Sequence, residues 1–281
     1  MTSTAIDSAT RHKEDALRAW LRARQSVLVG YSGGVDSTYL AVVAREVLGR
    51  DNVLAVLGRS ASVPLEQSLQ AEAIATEHGV PLQIVDTGEV EDPRYAANPI
   101  NRCYFCKSVL WEVLVPMSRE RGLHIVVDGT NADDLGEYRP GAQAATEVGV
   151  ESPLALVGLT KAEIRALSRE RGLATWSQPS APCLASRIPY GTEVTRARLA
   201  QVERAESSLR ALGIEGNLRV RHHDELARIE LDAALIDHWL EPANSRRIVE
   251  AVRAAGFDRV AIDLRGFRSG SLNVLDGVVA A

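Results

Sequence analysis

The sequence predicts an α/β protein: a mostly parallel sheet with helices on both faces, followed by a smaller C-terminal α+β domain. Three observations carry this. Short apolar runs alternate with helical stretches through the first half of the chain. A glycine turn, Ser32-Gly33-Gly34-Val35-Asp36-Ser37, joins the first apolar run, Val27 to Gly30, to a helical pattern. A proline-rich stretch, Gln178 to Cys183, then breaks the pattern, being unsuited to helix or central strand.

The elements follow in order. A polar helix over 12–24 leads into the strand Val27–Gly30. After the glycine turn, Asp36–Leu48 is a helix ended by Gly49. Val53–Leu57 is a strand, and Leu65–Glu77 a helix with Gly79 just past its end. Leu82–Val85 is a strand. Cys106–Arg119 is a helix that Pro116 must kink or shorten. His124–Asp128 is a strand closed by Gly129. Near-continuous apolar strands of this kind are buried on both faces. Thr160-Lys161-Ala162-Glu163 opens the next helix with a capping box, and Gly172 stops it. The domain boundary is placed after residue 185, giving domains 1–185 and 186–281. The second contains a helix (Thr195–Leu212), strands Leu218–Arg221 and Ala227–Leu231, a helix (Ser245–Ala255) and a strand (Arg259–Leu264).

Composition narrows the function. The chain has 281 residues, 46% hydrophobic and 25% charged, which is ordinary for a globular protein. A net charge of −5 argues against broad nucleic-acid binding. The opening segment lacks an apolar signal region, and no apolar run reaches membrane-spanning length, so a cytoplasmic protein is expected. Three cysteines do not suit a disulfide framework but do suit a metal cluster.

The glycine turn has the chemistry of an anion cradle. Its glycines let the backbone approach a bound anion and supply φ values that side chains forbid. The helix start aims N–H groups and a positive dipole end at that anion. Ser32 and Ser37 add hydroxyls, and Asp36 can help to hold Mg²⁺. Neither GxxxxGK[ST] nor GxGxxG occurs, so kinase-like and dinucleotide readings lose ground. The turn resembles the pyrophosphate loop of the ATP pyrophosphatase superfamily, whose members split ATP into AMP and pyrophosphate. That resemblance implies ATP and Mg²⁺, with Ser32, Gly33, Gly34, Asp36, Ser37 and Gly129 at the nucleotide. Ligands of such sheets lie beyond the carboxyl ends of the strands. The Ser32 turn, Gly58-Arg59-Ser60 and Asp128-Gly129-Thr130-Asn131 are therefore expected to meet around ATP.

Further groups stand out. Cys103-Tyr104-Phe105-Cys106 has the spacing of a metal edge or a redox dithiol, and is also compatible with neither. Cys183 lies in a proline-bounded loop followed by Arg187, whose charge would favour thiolate. Arg219 and Arg221 alternate along a strand and share a face suited to phosphate or carboxylate. Glu230 on the neighbouring strand could pair with one of them, and the alternative is a solvated, salt-bridged face. His222 and His223 point to opposite sides and are read as surface or satisfied histidines. Trp20, Trp111 and Trp176 are read as packing residues. Asp133-Asp134 touch nucleotide or Mg²⁺, or are simply solvated.

In order along the chain stand SGGVDS, NRCYFCK (101–107), DGTNADD (128–134), YRPG (138–141), SAPCLASRIPYG (180–191), RVRHH and ARIEL. Together, from about residue 15 to about 265, they resemble the LarE family of ATP-dependent sulfur transferases, which help to build a nickel-pincer nucleotide cofactor. The PCLASRIPYG block with RVRHH is far more specific than SGGVDS. The resemblance implies adenylation of a carboxylate of pyridinium-3,5-biscarboxylate mononucleotide, then displacement of AMP by sulfur. Two rounds give the bisthiocarboxylate. It implies one of two sulfur sources. Cys183 gives up its own sulfur and becomes dehydroalanine, or Cys103, Cys106 and Cys183 hold a [4Fe–4S] cluster carrying an extra sulfide. Cys183 and Arg187 are the implied catalytic residues, and Arg219, Arg221 and Glu230 the implied substrate ligands. The expected partner is a small nucleotide substrate, with no nucleic acid and no membrane, in a homo-oligomer. A tRNA thiolase, an amidating ligase of the same superfamily and a non-catalytic nucleotide-binding protein are the alternatives.

Overall fold

In the computed structural model, which describes residues 6–136, 140–179 and 182–268, the elements run α1 (Ser8–Arg24), β1 (Val27–Tyr31), α2 (Val35–Leu48), β2 (Val53–Arg59), α3 (Leu65–Glu77), β3 (Leu82–Asp86), α4 (Pro93–Ala96), α5 (Arg102–Glu120), β4 (Ile125–Val127), α6 (Pro140–Glu147), α7 (Pro153–Leu156), α8 (Lys161–Glu170), α9 (Arg196–Ala211), β5 (Leu218–His223), β6 (Leu226–Leu231), α10 (Ile236–Leu240), α11 (Pro242–Ala254) and β7 (Arg259–Ile262). They divide into two units. One comprises 1–89 with 101–181, and the other 90–100 with 182–281.

In the first unit β1–β4 form one parallel sheet in the order β3-β2-β1-β4. Side chains alternate across it with the period of two that a pleated strand imposes. Val27, Val29, Tyr31, Ala55, Leu57 and Val127 pack toward Leu17 and Leu21 of α1, Tyr39 and Val43 of α2, and Ile164 and Leu167 of α8. Leu28, Val56 and Val126 pack on the other face toward Trp111 and Leu114 of α5 and Ala144 and Ala145 of α6. Helices thus cover both faces, as expected. Each fully buried Leu or Val contributes about 1.5–3 kcal/mol relative to exposure.

Several boundaries differ from expectation for local reasons. α1 starts four residues before residue 12 because Asp7 caps it, its side chain accepting the Thr10 N–H at 2.6 Å. α5 runs through Pro116 without ending. Pro116 and Glu112 are both exposed, so water can serve the carbonyl that loses its helical donor. The short helices α4 and α7 begin on proline, which suits a first helical position, and neither they nor α6 were legible as periodic apolar patterns.

The second unit holds a three-stranded sheet in the order β5-β6-β7, antiparallel between β5 and β6 and parallel between β6 and β7. Leu199, Val202 and Leu209 of α9 and Ile248 and Val252 of α11 are buried with Val220 and Ile229 of the sheet. The sequence reading divides the chain at 185/186. The structure divides it at 181/182 and adds residues 90–100 to the second unit. That segment is tied by Asn98, whose side-chain amide donates to the carbonyls of Pro189 and Thr192 at 2.7 and 2.9 Å. Pairing over ninety residues leaves no trace in composition.

Candidate active site

The turn between β1 and α2 has the expected form, with one correction. Gly33 has φ +73°, and a Cβ there would lie 2.4 Å from the Cβ of Ala71, so both conformation and space demand glycine. Gly34 has φ −76° and ψ 166° as the N-cap of α2, which any residue adopts. Only Gly33 supplies a forbidden φ. Ser37 Oγ accepts the Ser32 N–H at 3.2 Å and lies 3.1 Å from Ser32 Oγ, which holds the turn closed. Gly129 serves by absence of bulk: a Cβ would sit 2.8 Å from the Ser37 backbone nitrogen. The strap after β4 therefore presses directly on the first turn of α2.

Asp36 is the second residue of α2. Its Oδ2 accepts from Lys161 Nζ at 2.6 Å, and its Oδ1 is buried with no protein hydrogen-bond partner. Burial raises its pKa above the usual carboxylate range, and the Lys161 contact opposes that rise. Lys161 sits directly after the capping residue of α8. Thr160 Oγ1 accepts the Glu163 N–H at 3.3 Å, and Glu163 accepts the Thr160 N–H at 2.7 Å. The capping box was legible in the sequence, but the contact across 125 residues was not. Asp133 and Asp134 both organise backbone, and Asp134 also lines the cavity beside the glycine turn. Asp133 accepts the Lys161 N–H at 2.8 Å, and Asp134 accepts the Asn131 N–H at 3.0 Å.

A cavity of about 440 Å³ opens here, lined by Ser32, Gly34, Asp36, Ser37, Gly129 and, from α5, Cys103 and Lys107. The exposed Cys103 thus belongs to the same cavity as the glycine turn, a link the sequence did not reveal. Lys107 ends the NRCYFCK motif, but nothing in the sequence places its side chain at this cavity. Cys106 lies one helical turn on from Cys103 and is half-buried. The expectation that Gly58-Arg59-Ser60 joins this site is not met. None of the three lines the cavity, and Arg59 is paired with Asp86 at 2.7 Å.

In the second unit, Cys183 is half-buried and caps a short turn, Leu184–Arg187. Arg187 is buried, and its guanidinium is committed. Nε and Nη2 donate to Glu206 at 2.9 and 3.0 Å, and Nη1 donates to the carbonyls of Pro182 and Cys183 at 2.6 and 3.1 Å. Arg219 and Arg221 lie on a buried face, not a solvated one. Arg221 pairs with the fully buried Glu230 at 2.7 Å and donates to the Ser186 carbonyl at 2.9 Å. Glu230 also pairs with Arg228 at 3.2 Å. Burial first, and then the nearby charge of Arg187, pull the Arg219 pKa down to about 10. His222 is satisfied: it lies 3.1 Å from Gln201 Oε1 and accepts the Asp224 N–H at 3.2 Å, and burial pushes its pKa down. Trp111 is a core residue, Trp20 is half-buried, and Trp176 is exposed beneath Arg169. Tyr138 and Arg139 of YRPG, and Ser180 and Ala181 of SAPCLASRIPYG, lie outside the described residues. Among the described residues, no three or more His, Cys, Asp or Glu side chains are gathered as a metal-holding group. No described helix is long and apolar enough to cross a membrane.

Known proteins resemble this chain in sequence. The family described as NAD synthase matches residues 10–95, which span the glycine turn and the first three strands. Over 261 residues the chain is 44% identical to an uncharacterized protein of Synechocystis, covering 93% of this chain and 97% of that one. Over 261 residues it is 37% identical to the pyridinium-3,5-bisthiocarboxylic acid mononucleotide synthase of Lactiplantibacillus plantarum, covering 93% and 94%. Similarity to the glutamine-hydrolyzing GMP synthase of Aeropyrum pernix is lower, 28% over 78% of this chain and 44% of that protein. The similarity to the mononucleotide synthase extends over nearly the whole of both chains, so the chain belongs to the LarE family of ATP-dependent sulfur transferases, within the PP-loop ATP pyrophosphatase superfamily.

Proposed function

We propose that the protein uses ATP to activate the carboxylates of pyridinium-3,5-biscarboxylate mononucleotide and converts them to thiocarboxylates. The observation that carries this is the cavity shared by the Ser32–Ser37 turn, Gly129 and Cys103. A substrate carboxylate oxygen attacks the α-phosphorus of ATP. The bond to the β-phosphate oxygen breaks, and pyrophosphate leaves. The free N–H groups at the start of α2 face the charge that develops there. The buried, unpartnered Oδ1 of Asp36 fits a divalent cation, which Asp36 would hold with Asp128 or Asp134 at the cavity wall. Bound Mg²⁺ would neutralise phosphate charge. Arg219, whose charged form burial disfavours, would be relieved by an anionic substrate group. The Arg221–Glu230 pair lies beside Arg219 on the same face.

Sulfur then attacks the acyl carbon and AMP leaves. With Cys183 as donor, Sγ forms a thioester, the Cα proton is lost, and the Cβ–Sγ bond breaks. The products are the thiocarboxylate and dehydroalanine. In the other version, Cys103, Cys106 and Cys183 would hold a [4Fe–4S] cluster. Their spacing on α5 puts Cys103 and Cys106 on one helical face, which suits two thiolate corners. A cluster would supply sulfide that is not drawn from the chain. The setting we infer is cytoplasmic and homo-oligomeric, with a small nucleotide partner, and the net charge of −5 supports leaving nucleic acid out. The test is ATP-dependent pyrophosphate release and thiocarboxylate formation with the biscarboxylate mononucleotide. Both are expected in wild type. Release without any sulfurated product, or release only with ammonia or tRNA, would overturn the assignment.

A further inference from the structure

We propose that Asn98 and Glu206 are positioning residues that hold the Cys183 turn in place, with Arg187 as the link between Glu206 and the turn. All these groups lie in the second unit. Asn98 is fully buried and has φ +53°, in the left-handed region where Asn and Gly are tolerated best. Its amide nitrogen donates to the carbonyls of Pro189 and Thr192 at 2.7 and 2.9 Å, with a longer contact to Ile188 at 3.4 Å. Its backbone carbonyl accepts the Gly191 N–H at 3.0 Å, and the Ala96 carbonyl accepts the Val194 N–H at 2.8 Å. The chain just downstream of the Cys183 turn is thereby fixed to the segment that precedes α5.

Glu206 fixes the turn itself. It accepts two bonds from the Arg187 guanidinium and the N–H of Val220 on β5. The remaining arm of Arg187 holds the Pro182 and Cys183 carbonyls, and Arg221 holds that of Ser186. The backbone on both sides of the thiol is therefore bolted to β5 and to residues 96–98. Arg187 works here through its planar fork, not through charge alone. A lysine cannot reproduce five directed donors. Asn98 and Glu206 act on the backbone around Cys183, so their role is orientation. Loosening that orientation slows the step in which Sγ must meet an acyl carbon, because misplacement by about 1 Å can cost on the order of a hundredfold.

The inference rests on the proposed role of Cys183 in sulfur transfer, and the experiment separates the two. Wild type, Asn98→Gly, Glu206→Gln and Arg187→Lys are compared by hydrogen exchange of amides 184–194, by the alkylation rate of Cys183 with iodoacetamide, and by single-turnover sulfur transfer. Asn98→Gly tolerates the left-handed φ and removes the side-chain amide, with its donors to Pro189 and Thr192. It should raise exchange of 188–194 and slow sulfur transfer by roughly tenfold to a hundredfold, while KM stays within about twofold and pyrophosphate release persists. Glu206→Gln should raise exchange of 184–187 and alter Cys183 alkylation. Arg187→Lys should resemble Glu206→Gln if the fork is what matters. Wild-type exchange and wild-type sulfur transfer in both Asn98→Gly and Glu206→Gln would overturn the inference. So would full function in Arg187→Lys. If Asn98→Gly proves too unstable to assay, Glu206→Gln decides alone. Full sulfur transfer by Cys183→Ala would instead sink the functional assignment, and the exchange and alkylation results would still report on the brace.

Discussion

Gly129 shows how a single residue can matter through what it lacks. Its φ lies outside the left-handed region, yet a Cβ would meet the Ser37 nitrogen at 2.8 Å and the Ser37 Cα at 3.1 Å. Both are backbone atoms in the first turn of α2, so neither moves without displacing the glycine turn. Gly129→Ala should cost roughly 1–3 kcal/mol of stability and cut ATP-dependent pyrophosphate release sharply, read by thermal melts and a pyrophosphate assay. A variant with wild-type release would show that the strap yields without disturbing α2. Asp36 carries a second prediction. Burial, opposed by Lys161, raises its pKa, so the folded protein holds that proton more tightly than the unfolded chain. The ionised form therefore costs stability above the raised pKa, and the cost fades as pH falls through it toward 3.8. Asp36→Asn should melt at or above the wild-type temperature at pH 7, and that margin should close with acidification. It should also lose pyrophosphate release. A lower melting point at pH 7 would mean that the Lys161 pair outweighs desolvation.

Among the elements, α5 adds to the cavity a thiol and an amine that the β1–α2 turn does not supply. Trp111, 1% exposed, lies over Gly30, where a Cβ would come within 2.8 Å of the indole. That close seat presents Cys103 and Lys107 at the cavity beside the glycine turn. The same helix carries Pro116 on an exposed position with no packing role. Proline in a helix interior costs about 3 kcal/mol or more. Pro116→Ala should therefore raise stability, by roughly 1–3 kcal/mol since the Glu112 carbonyl is open to water. Chemical denaturation reads this directly, and an unchanged midpoint would show that the helix has already adapted to the proline. The 3.6 period and Cys spacing of α5 are visible in the sequence. It starts at Arg102, four residues before the expected Cys106, so both cysteines of the pair are helical. α6 escapes a sequence reading because its alanines carry little apolar contrast.

At the scale of the molecule, the expected chemistry is shared between the two units. The ATP turn, Cys103 and Cys106 lie in the first, and Cys183 with the buried arginines lies in the second. Cys183→Ala should keep pyrophosphate release and lose sulfur transfer. Cys103→Ala and Cys106→Ala part the two sulfur sources. With a cluster, iron content and multiple turnover should fall together. With Cys183 consumed, both variants should complete a single turnover and show the loss of about 34 Da that marks conversion of cysteine to dehydroalanine. Iron counting, turnover number and intact mass read all three. Full single-turnover transfer by Cys183→Ala would defeat both versions.

Legible in the residues alone were the parallel sheet, the glycine turn after β1 and the family. These are written in short-range signals: apolar runs alternating with helical stretches, a glycine turn, and motifs of a few consecutive residues. Tertiary structure alone decided that Lys161 meets Asp36, that Cys103 lines the cavity of the glycine turn, and that Gly129 is required for space. It also decided that Arg187 braces its own turn through Glu206, and that residues 90–100 pack with the C-terminal half. Each of these depends on pairs separated by between 19 and about 125 positions. A buried charge or a close backbone contact is set by what the folded chain brings opposite it, and no local pattern records that.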